Sequence, residues 1–195
     1  MSDKKTQILE ATERLLAEHG FDRLSMQMVA KEAGVAAGTI YRYFSDKNDL
    51  LAQLRHHVMS QCAKKIVHGL TDNMSMKQQF VTAWRNAWQL TISRDGHAIN
   101  REQFDSLPYQ NSSEQRTMEK ALFAPIHNLF QAGVANGTFK PLPSDVLSGI
   151  GLEPAICLAR KQARGVINLN ASAIDDAVEA CWDAISLHKE PEKSK

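Results

Sequence analysis

Residues 21–51, FDRLSMQMVAKEAGVAAGTIYRYFSDKNDLL, constrain the fold of this chain more than any other segment. They hold two short helical patterns with almost no chain between them. Ser25 is a good N-cap residue for a helix whose inner face carries Val29, Ala30 and Ala33 at the i, i+1, i+4 spacing. Gly34 stops that helix, because glycine reaches the left-handed conformation of a C′ position without a Cβ clash, and Val35 just beyond turns back to the core. A second helix is predicted over about 36–43, burying Ile40 and leaving Ala37, Thr39, Tyr41, Arg42 and Tyr43 to face outward. The pattern is a helix-turn-helix with its second helix in the recognition position.

Gly20-Phe21, Ser25-Met26, Val29-Ala30, Ala33-Gly34-Val35, Gly38-Thr39-Ile40-Tyr41, Tyr43-Phe44, Lys47 and Leu50-Leu51 together resemble the N-terminal domain of the TetR/AcrR family of transcriptional regulators. That resemblance implies an all-α protein, with an N-terminal three-helix helix-turn-helix DNA-binding domain and a C-terminal helical domain for ligand binding and dimerisation. It implies DNA contacts from Ser25, Met26, Gln27, Ala36, Ala37, Gly38, Thr39, Tyr41, Arg42 and Tyr43, with Lys47 as a phosphate clamp. The family often has Ser or Thr and then a long polar residue where this chain has Ala36-Ala37. Two hydrogen-bonding side chains are thereby missing, so base reading falls to Gln27, Thr39 and Arg42 and to thymine-methyl contacts from the alanines.

Charge does not advertise a nucleic-acid partner. The net charge is +1, and within residues 1–50 seven Lys and Arg stand against eight Asp and Glu. Any positive surface is therefore local, and backbone N–H groups can supply further phosphate contacts. The 195 residues, 43% of them hydrophobic, suffice for a proper core. Residues 1–16, MSDKKTQILEATERLL, lack the apolar run of a signal peptide, and no stretch is apolar for long enough to span a bilayer, so a cytoplasmic location without membrane partners is expected. Cys62, Cys157 and Cys181 are widely spaced and form no CxxC pair, which favours small apolar residues over disulfides or zinc ligands.

The remaining patterns are helical. A first helix over about 4–19 carries the stripe Ile8, Ala11, Thr12, Leu15, Leu16. Ser45 is the expected N-cap of a helix reaching Gly69, with Leu50, Leu51, Leu54, Val58 and Cys62 buried. Further helices are predicted over 75–94, 112–136, 144–164 and 172–187, with an irregular piece at 99–104, a Gly137 stop and an extended proline segment at 138–143. Ser172 and Asp175 suggest a capping box on the last helix. The expected division is 1–50 for DNA binding, 51–188 for effector binding and dimerisation, and 189–195 as a solvated tail.

Phe80, Trp84 and Trp88 repeat every fourth residue, and Phe123, His127 and Phe130 share a second stripe. Such stripes are ordinarily core. In the second domain of the resembled family they would line a cavity, and with Phe104 and Tyr109 they suggest a lipophilic or aromatic small-molecule effector. His127 reads as a hydrogen-bonded core histidine rather than a metal ligand. Glu153 shares a face with Val146, Ile150 and Cys157, so it pairs with Arg160, lies exposed at the helix edge, or anchors a cationic ligand; Pro154 beside it should kink the helix. Gly151, Ala155 and Ala159 form a small-residue stripe on which another helix can close. With Val178 and Trp182 of the last helix they are the expected homodimer interface.

No nucleophile elbow, HExxH or phosphate loop is present, so catalysis and a bound cofactor are not expected. The expected partners are a roughly palindromic double-stranded DNA operator, a small-molecule effector and a second copy of the chain. The rival is a helical adaptor that binds protein without binding DNA.

Overall fold

The computed structural model describes residues 3–92, 101–108 and 113–188. Its helices are α1 (Lys4–Arg23), α2 (Met26–Glu32), α3 (Ala37–Ile40), α4 (Lys47–Ile66), α5 (Met76–Ile92), α6 (Arg101–Asp105), α7 (Ser113–Leu122), α8 (Ala124–Ala135), α9 (Ser144–Gly151), α10 (Glu153–Ala163) and α11 (Ala171–Ile185). The fold is all-α. Among the described residues the sole β pairing is an isolated antiparallel bridge between Phe139 and Ser186, and no helix is long and apolar enough to cross a membrane. Contacts group the chain into two compact units, Met1–Cys62 with Arg94–Leu122, and Ala63–Ser93 with Phe123–Lys195.

The first unit closes on Ile8, Leu16, Ile40, Phe44, Leu50 and Leu54, all fully or almost fully buried. The stripe expected on α1 is its inner face, including Thr12, whose hydroxyl donates to the Ile8 carbonyl at 2.7 Å. At Gly20 the backbone kinks with φ +72°, at the end expected for the first helix, and a further short helical stretch, Phe21–Arg23, follows the kink. A later segment also belongs to this core. Leu107 is buried in it, and the Gln103 amide donates to the Leu16 carbonyl at 2.8 Å.

The second unit packs α5, α8, α9, α10 and α11 around an aromatic interior. Trp84 and Trp88 stack at 5.7 Å and 9°, while Phe139 meets both Phe130 (5.6 Å) and Trp182 (5.3 Å). A Schellman turn at Gly137, with Thr138 N–H donating to the Gly133 carbonyl at 2.8 Å, swings Phe139 back into this interior.

Several boundaries differ from expectation, each for a local reason. The helix expected over 112–136 is two helices, because Pro125 has no N–H for the α-helical ladder and the chain breaks at Phe123 (φ −103°, ψ 18°). Pro154 does break 144–164, with Leu152 at the joint between α9 and α10. The cap of α4 is Asp46 and not Ser45: its carboxylate accepts from Asp49 N–H at 2.9 Å. α4 also ends at Ile66, ahead of Gly69. The last helix is capped by Asn170, which accepts from Ala173 N–H at 2.9 Å, and not through Ser172 and Asp175. Ser75 and Gln78 form the reciprocal capping box at the start of α5 instead, at 3.2 and 2.8 Å.

Candidate nucleic-acid interface

The turn between α2 and α3 is built from backbone bonds. Ser25 caps α2 by accepting from Met28 N–H at 3.2 Å, which leaves its own O–H free to donate outward. At the other end Gly34 takes φ +64°, its N–H donates to the Lys31 carbonyl at 3.1 Å, and Val35 N–H reaches back to the Ala30 carbonyl at 2.9 Å. This is a Schellman motif, and it reverses the chain within two residues. Ala36 is extended and caps α3 without a side-chain bond.

α3 is shorter than expected. It leaves the α-helical pattern at Ile40, and Arg42 and Tyr43 continue it with i→i−3 bonds to Thr39 and Ile40 at 3.1 Å each. Tight turns of this kind suit a run of β-branched and aromatic residues that are poor helix formers. They send Ile40 and Phe44 into the core and turn Tyr41 outward, 57% exposed. Gln27, Ala36, Ala37, Gly38 and Arg42 are also exposed, Thr39 and Tyr43 are half-buried, and Met26 packs partly against the core. The outward set predicted for this element is thus displayed, with Met26, Thr39 and Tyr43 only partly so.

Lys47 has a task that its sequence position does not reveal. Its Nζ donates to the Phe21 carbonyl at 2.9 Å, and the same carbonyl accepts from Leu24 N–H at 3.3 Å. The first residue of α4 thereby ties down the turn that delivers Ser25. Asp49 reinforces this corner: Ser45 N–H donates to it at 2.9 Å and the Gln53 amide at 2.8 Å. Those bonds, that of Gln53 foremost, hold its carboxyl below the ordinary value of 3.8. Arg55 is largely buried one turn further on. Its guanidinium pairs with Glu119 at 3.4 Å, donates to the Phe104 carbonyl at 3.3 Å and covers the Phe104 ring at 4.5 Å. Sequence spacing offered no signal for this cluster, since Arg55 and Glu119 are 64 positions apart.

The residues expected around an effector are distributed between the two cores. Phe104 belongs to the first unit, under Arg55, which removes it from the aromatic set of the second. Phe80, Trp84, Trp88 and Phe130 are buried together in the second unit, with Phe123 half-buried against them at the α8 cap. The Trp84 indole N–H is buried without a hydrogen-bond partner among the described residues. Burial pushes the Cys181 thiol above its ordinary value of 9.0, against a smaller opposing effect of that indole. Cys157, by contrast, is exposed and not an apolar core residue. His127 is partly exposed, its Nδ1 3.8 Å from the Asp145 carboxylate. Glu153 is exposed in the first turn of α10, and the Arg160 Nε is turned to the Ile156 carbonyl at 3.3 Å. Tyr109 lies outside the described residues.

The small-residue stripe also requires correction. Ala155 and Ala159 are fully buried within one chain, because the helix that closes on α10 is α5. A Cβ on Gly151 would lie 3.0 Å from Phe80 and 3.1 Å from Ile185. Val178 is buried as well, and Trp182 lies against Phe80 (5.5 Å) and Phe139. Gly151, Ala155, Ala159 and Val178 are therefore interior to the protomer, while Trp182 is partly buried against its core. The face left open carries Val146 and Ile150, 42% and 41% exposed and one helical turn apart on α9.

Residues 8–54 match the family model described as bacterial regulatory proteins, tetR family. Residues 75–186 match a second, the tetracyclin repressor-like C-terminal domain. An HTH-type transcriptional regulator of Haemophilus influenzae is 31% identical over 94% of this chain and 96% of its own length. The chain belongs to the TetR family. A transcriptional regulator structure described as TetR-family, from Vibrio parahaemolyticus, is 47% identical, covers 95% of this chain and 100% of that one, and superposes with a TM-score of 0.87. The fold is shared with FadR of Bacillus subtilis, a transcriptional regulator solved in complex with stearoyl-CoA, at 19% identity, TM-score 0.67 and coverage of 92% and 98%. This TetR-family chain is therefore a helix-turn-helix, DNA-binding transcription regulator.

Proposed function

We propose that the chain is a homodimeric repressor that holds a palindromic operator through residues 25–47 and releases it when a lipophilic or aromatic small molecule binds the second unit. The observation that carries the DNA part is the exposure of Ala36, Ala37, Gly38, Tyr41 and Arg42 on one short element, presented by a turn that the Gly34 and Val35 N–H bonds to Lys31 and Ala30 hold in place. One such short element reads too few base pairs to be selective alone, and two copies on a two-fold axis match two half-sites. Val146 and Ile150 are the residues we assign to the subunit contact, since they are the large apolar side chains that α9 leaves uncovered. The lipophilic effector is supported by the aromatic interior around Trp84, Trp88 and Phe130, and by the stearoyl-CoA complex of a regulator with the same fold. Release is a population shift, in which the effector binds better to the conformation whose recognition elements no longer match adjacent major grooves.

An electrophoretic shift with the full-length chain and the DNA upstream of its own gene tests this reading. A retarded band, lost on adding long-chain acyl or aromatic compounds that also change tryptophan emission, is the expected result. A chain that retards no duplex is the adaptor protein instead. Ile150→Glu should leave thermal stability unchanged while sedimentation shifts toward monomer and operator affinity falls; a variant that stays dimeric with normal affinity removes Ile150 from the interface.

A further inference from the structure

One polar atom of the second unit is buried with nothing to bond. The indole N–H of Trp84 has no hydrogen-bond partner among the described residues, and its side chain is fully buried and stacked on Trp88. An unpaired interior donor carries its full desolvation penalty, so each one in a native fold calls for a reason. Filling space does not require it: Phe80 and Phe130 are equally buried in the same interior and bring no polar atom. A trapped water does not resolve it either, since water needs about two to four polar partners. Among the described residues the only other buried polar side chain of this unit is Ser186, whose hydroxyl donates to the Trp182 carbonyl at 2.8 Å. The Cys181 thiol, which the indole influences, has a sulfur that is only a weak acceptor.

An indole N–H donates and cannot accept, so the group that completes it is an acceptor. That group is also uncharged. Among the described residues no Asp, Glu, Lys or Arg is buried in the second unit, and an ionised group there would go unpaired. Resting on the effector reading above, we propose that Trp84 is the polar anchor of the effector site and that the effector brings an uncharged hydrogen-bond acceptor, such as a ketone, ester or amide carbonyl, into this interior. A pure hydrocarbon leaves the donor unpaired, and a buried cationic group finds no carboxylate, Glu153 being exposed on α10. Because the indole is sealed where α10 and α11 pack on α5, the acceptor reaches it only as these helices separate. The closed arrangement holds the unpaired donor and the occupied one satisfies it, which gives the effector the difference in affinity that a population shift requires.

Probes matched in size test this. Methyl octyl ketone and methyl naphthyl ketone carry a carbonyl, whereas undecane and ethylnaphthalene do not. The full-length chain first selects its preferred operator from a random pool of duplexes. Each ketone should then release that operator at a concentration about tenfold below that of its hydrocarbon counterpart, the ratio expected of one hydrogen bond to an otherwise unpaired donor. In Trp84→Phe the ratio should fall to about one or below, because the donor is gone. The chain has three tryptophans, so three indole N–H resonances report separately in isotope-labelled protein. The ketones should move the Trp84 resonance downfield, and the hydrocarbons should not. Ketone and hydrocarbon acting equally on the unaltered chain, or a ketone preference that survives in Trp84→Phe, overturns the proposal and leaves the effector reading standing. So does a Trp84 resonance left unmoved by a ketone that releases the operator, a result read in the unaltered chain and therefore independent of how well the variant folds. If none of the four compounds releases the operator or moves an indole resonance, the lipophilic-effector reading itself falls.

Discussion

Glycine and alanine do opposite work in the two units. In the first, Ala36, Ala37 and Gly38 are small and exposed, and a Cβ on Gly38 would meet nothing within 4 Å. In the second, Gly133, Gly151, Ala155 and Ala159 are small because Phe139, Phe80, Ile185 and α5 fill the space a larger side chain would take. Smallness on the outside makes room for a partner, whereas smallness on the inside lets helices and rings close on one another. A stripe of small residues in a sequence does not say which. The same contrast holds for the aromatics, with Tyr41 turned out of the first unit and Trp84 sealed into the second.

The largest effect should come from the sealed side. Trp84→Ala removes the stacking partner of Trp88 from a site with no exposure, and a cost of about 3–5 kcal/mol in urea unfolding is expected for so large a cavity. A loss below about 1 kcal/mol would mean that the side chain borders a preformed effector space rather than packed interior, and would bring the second unit closer to the open character of the first. Tyr41→Ala, on an exposed site, should shift unfolding by no more than about 0.5 kcal/mol.

Next in size is a direct confrontation of two glycines. Gly133→Ala places a methyl inside the Phe139 ring, so the ring must leave the position where it meets Phe130 and Trp182. Overpacking of this kind costs about 1–3 kcal/mol, less the small gain in helix propensity. Differential scanning calorimetry should show a clear fall for Gly133→Ala and none for Gly38→Ala. If both variants melt alike, the interior and exterior roles assigned to these glycines do not differ.

What could be read from the sequence follows the same division. The helix-turn-helix is legible because its determinants are local: Ser25 caps within three residues, Gly34 reverses the chain within two, and the Ile8–Leu16 stripe lies on one helix. The second unit depends on which helix meets which, and periodicity is silent on that. The Gly151–Ala159 stripe is visible as a close-approach surface, yet nothing in its spacing distinguishes α5 of the same chain from a helix of a second subunit. Phe104 was unreadable for a related reason, since its partner Arg55 is remote in sequence. Pro154 and Pro125 carry the same backbone restriction and both interrupt a helix, although the longer apolar pattern around Pro125 disguises the break.

The smallest expected effect tests whether even the exposed unit keeps its functional side chains free. Lys47 is expected at a phosphate, yet its Nζ already donates to the Phe21 carbonyl at 2.9 Å. An ammonium group has three donors, so one bond to the chain leaves two for DNA. Lys47→Ala should therefore do two separable things. The turn at Phe21–Leu24 loses a part-buried, charge-assisted bond, which lowers stability by about 1 kcal/mol. The slope of log affinity against log salt falls by about one unit, equally for the selected operator and for random duplex, because a phosphate contact carries no sequence information. A drop in stability with an unchanged slope would make Lys47 a strut and nothing more. In that case the phosphate-facing charge of this unit rests on Arg42, which is exposed on the same turn as Tyr41, and Arg42→Ala should carry the missing unit of slope.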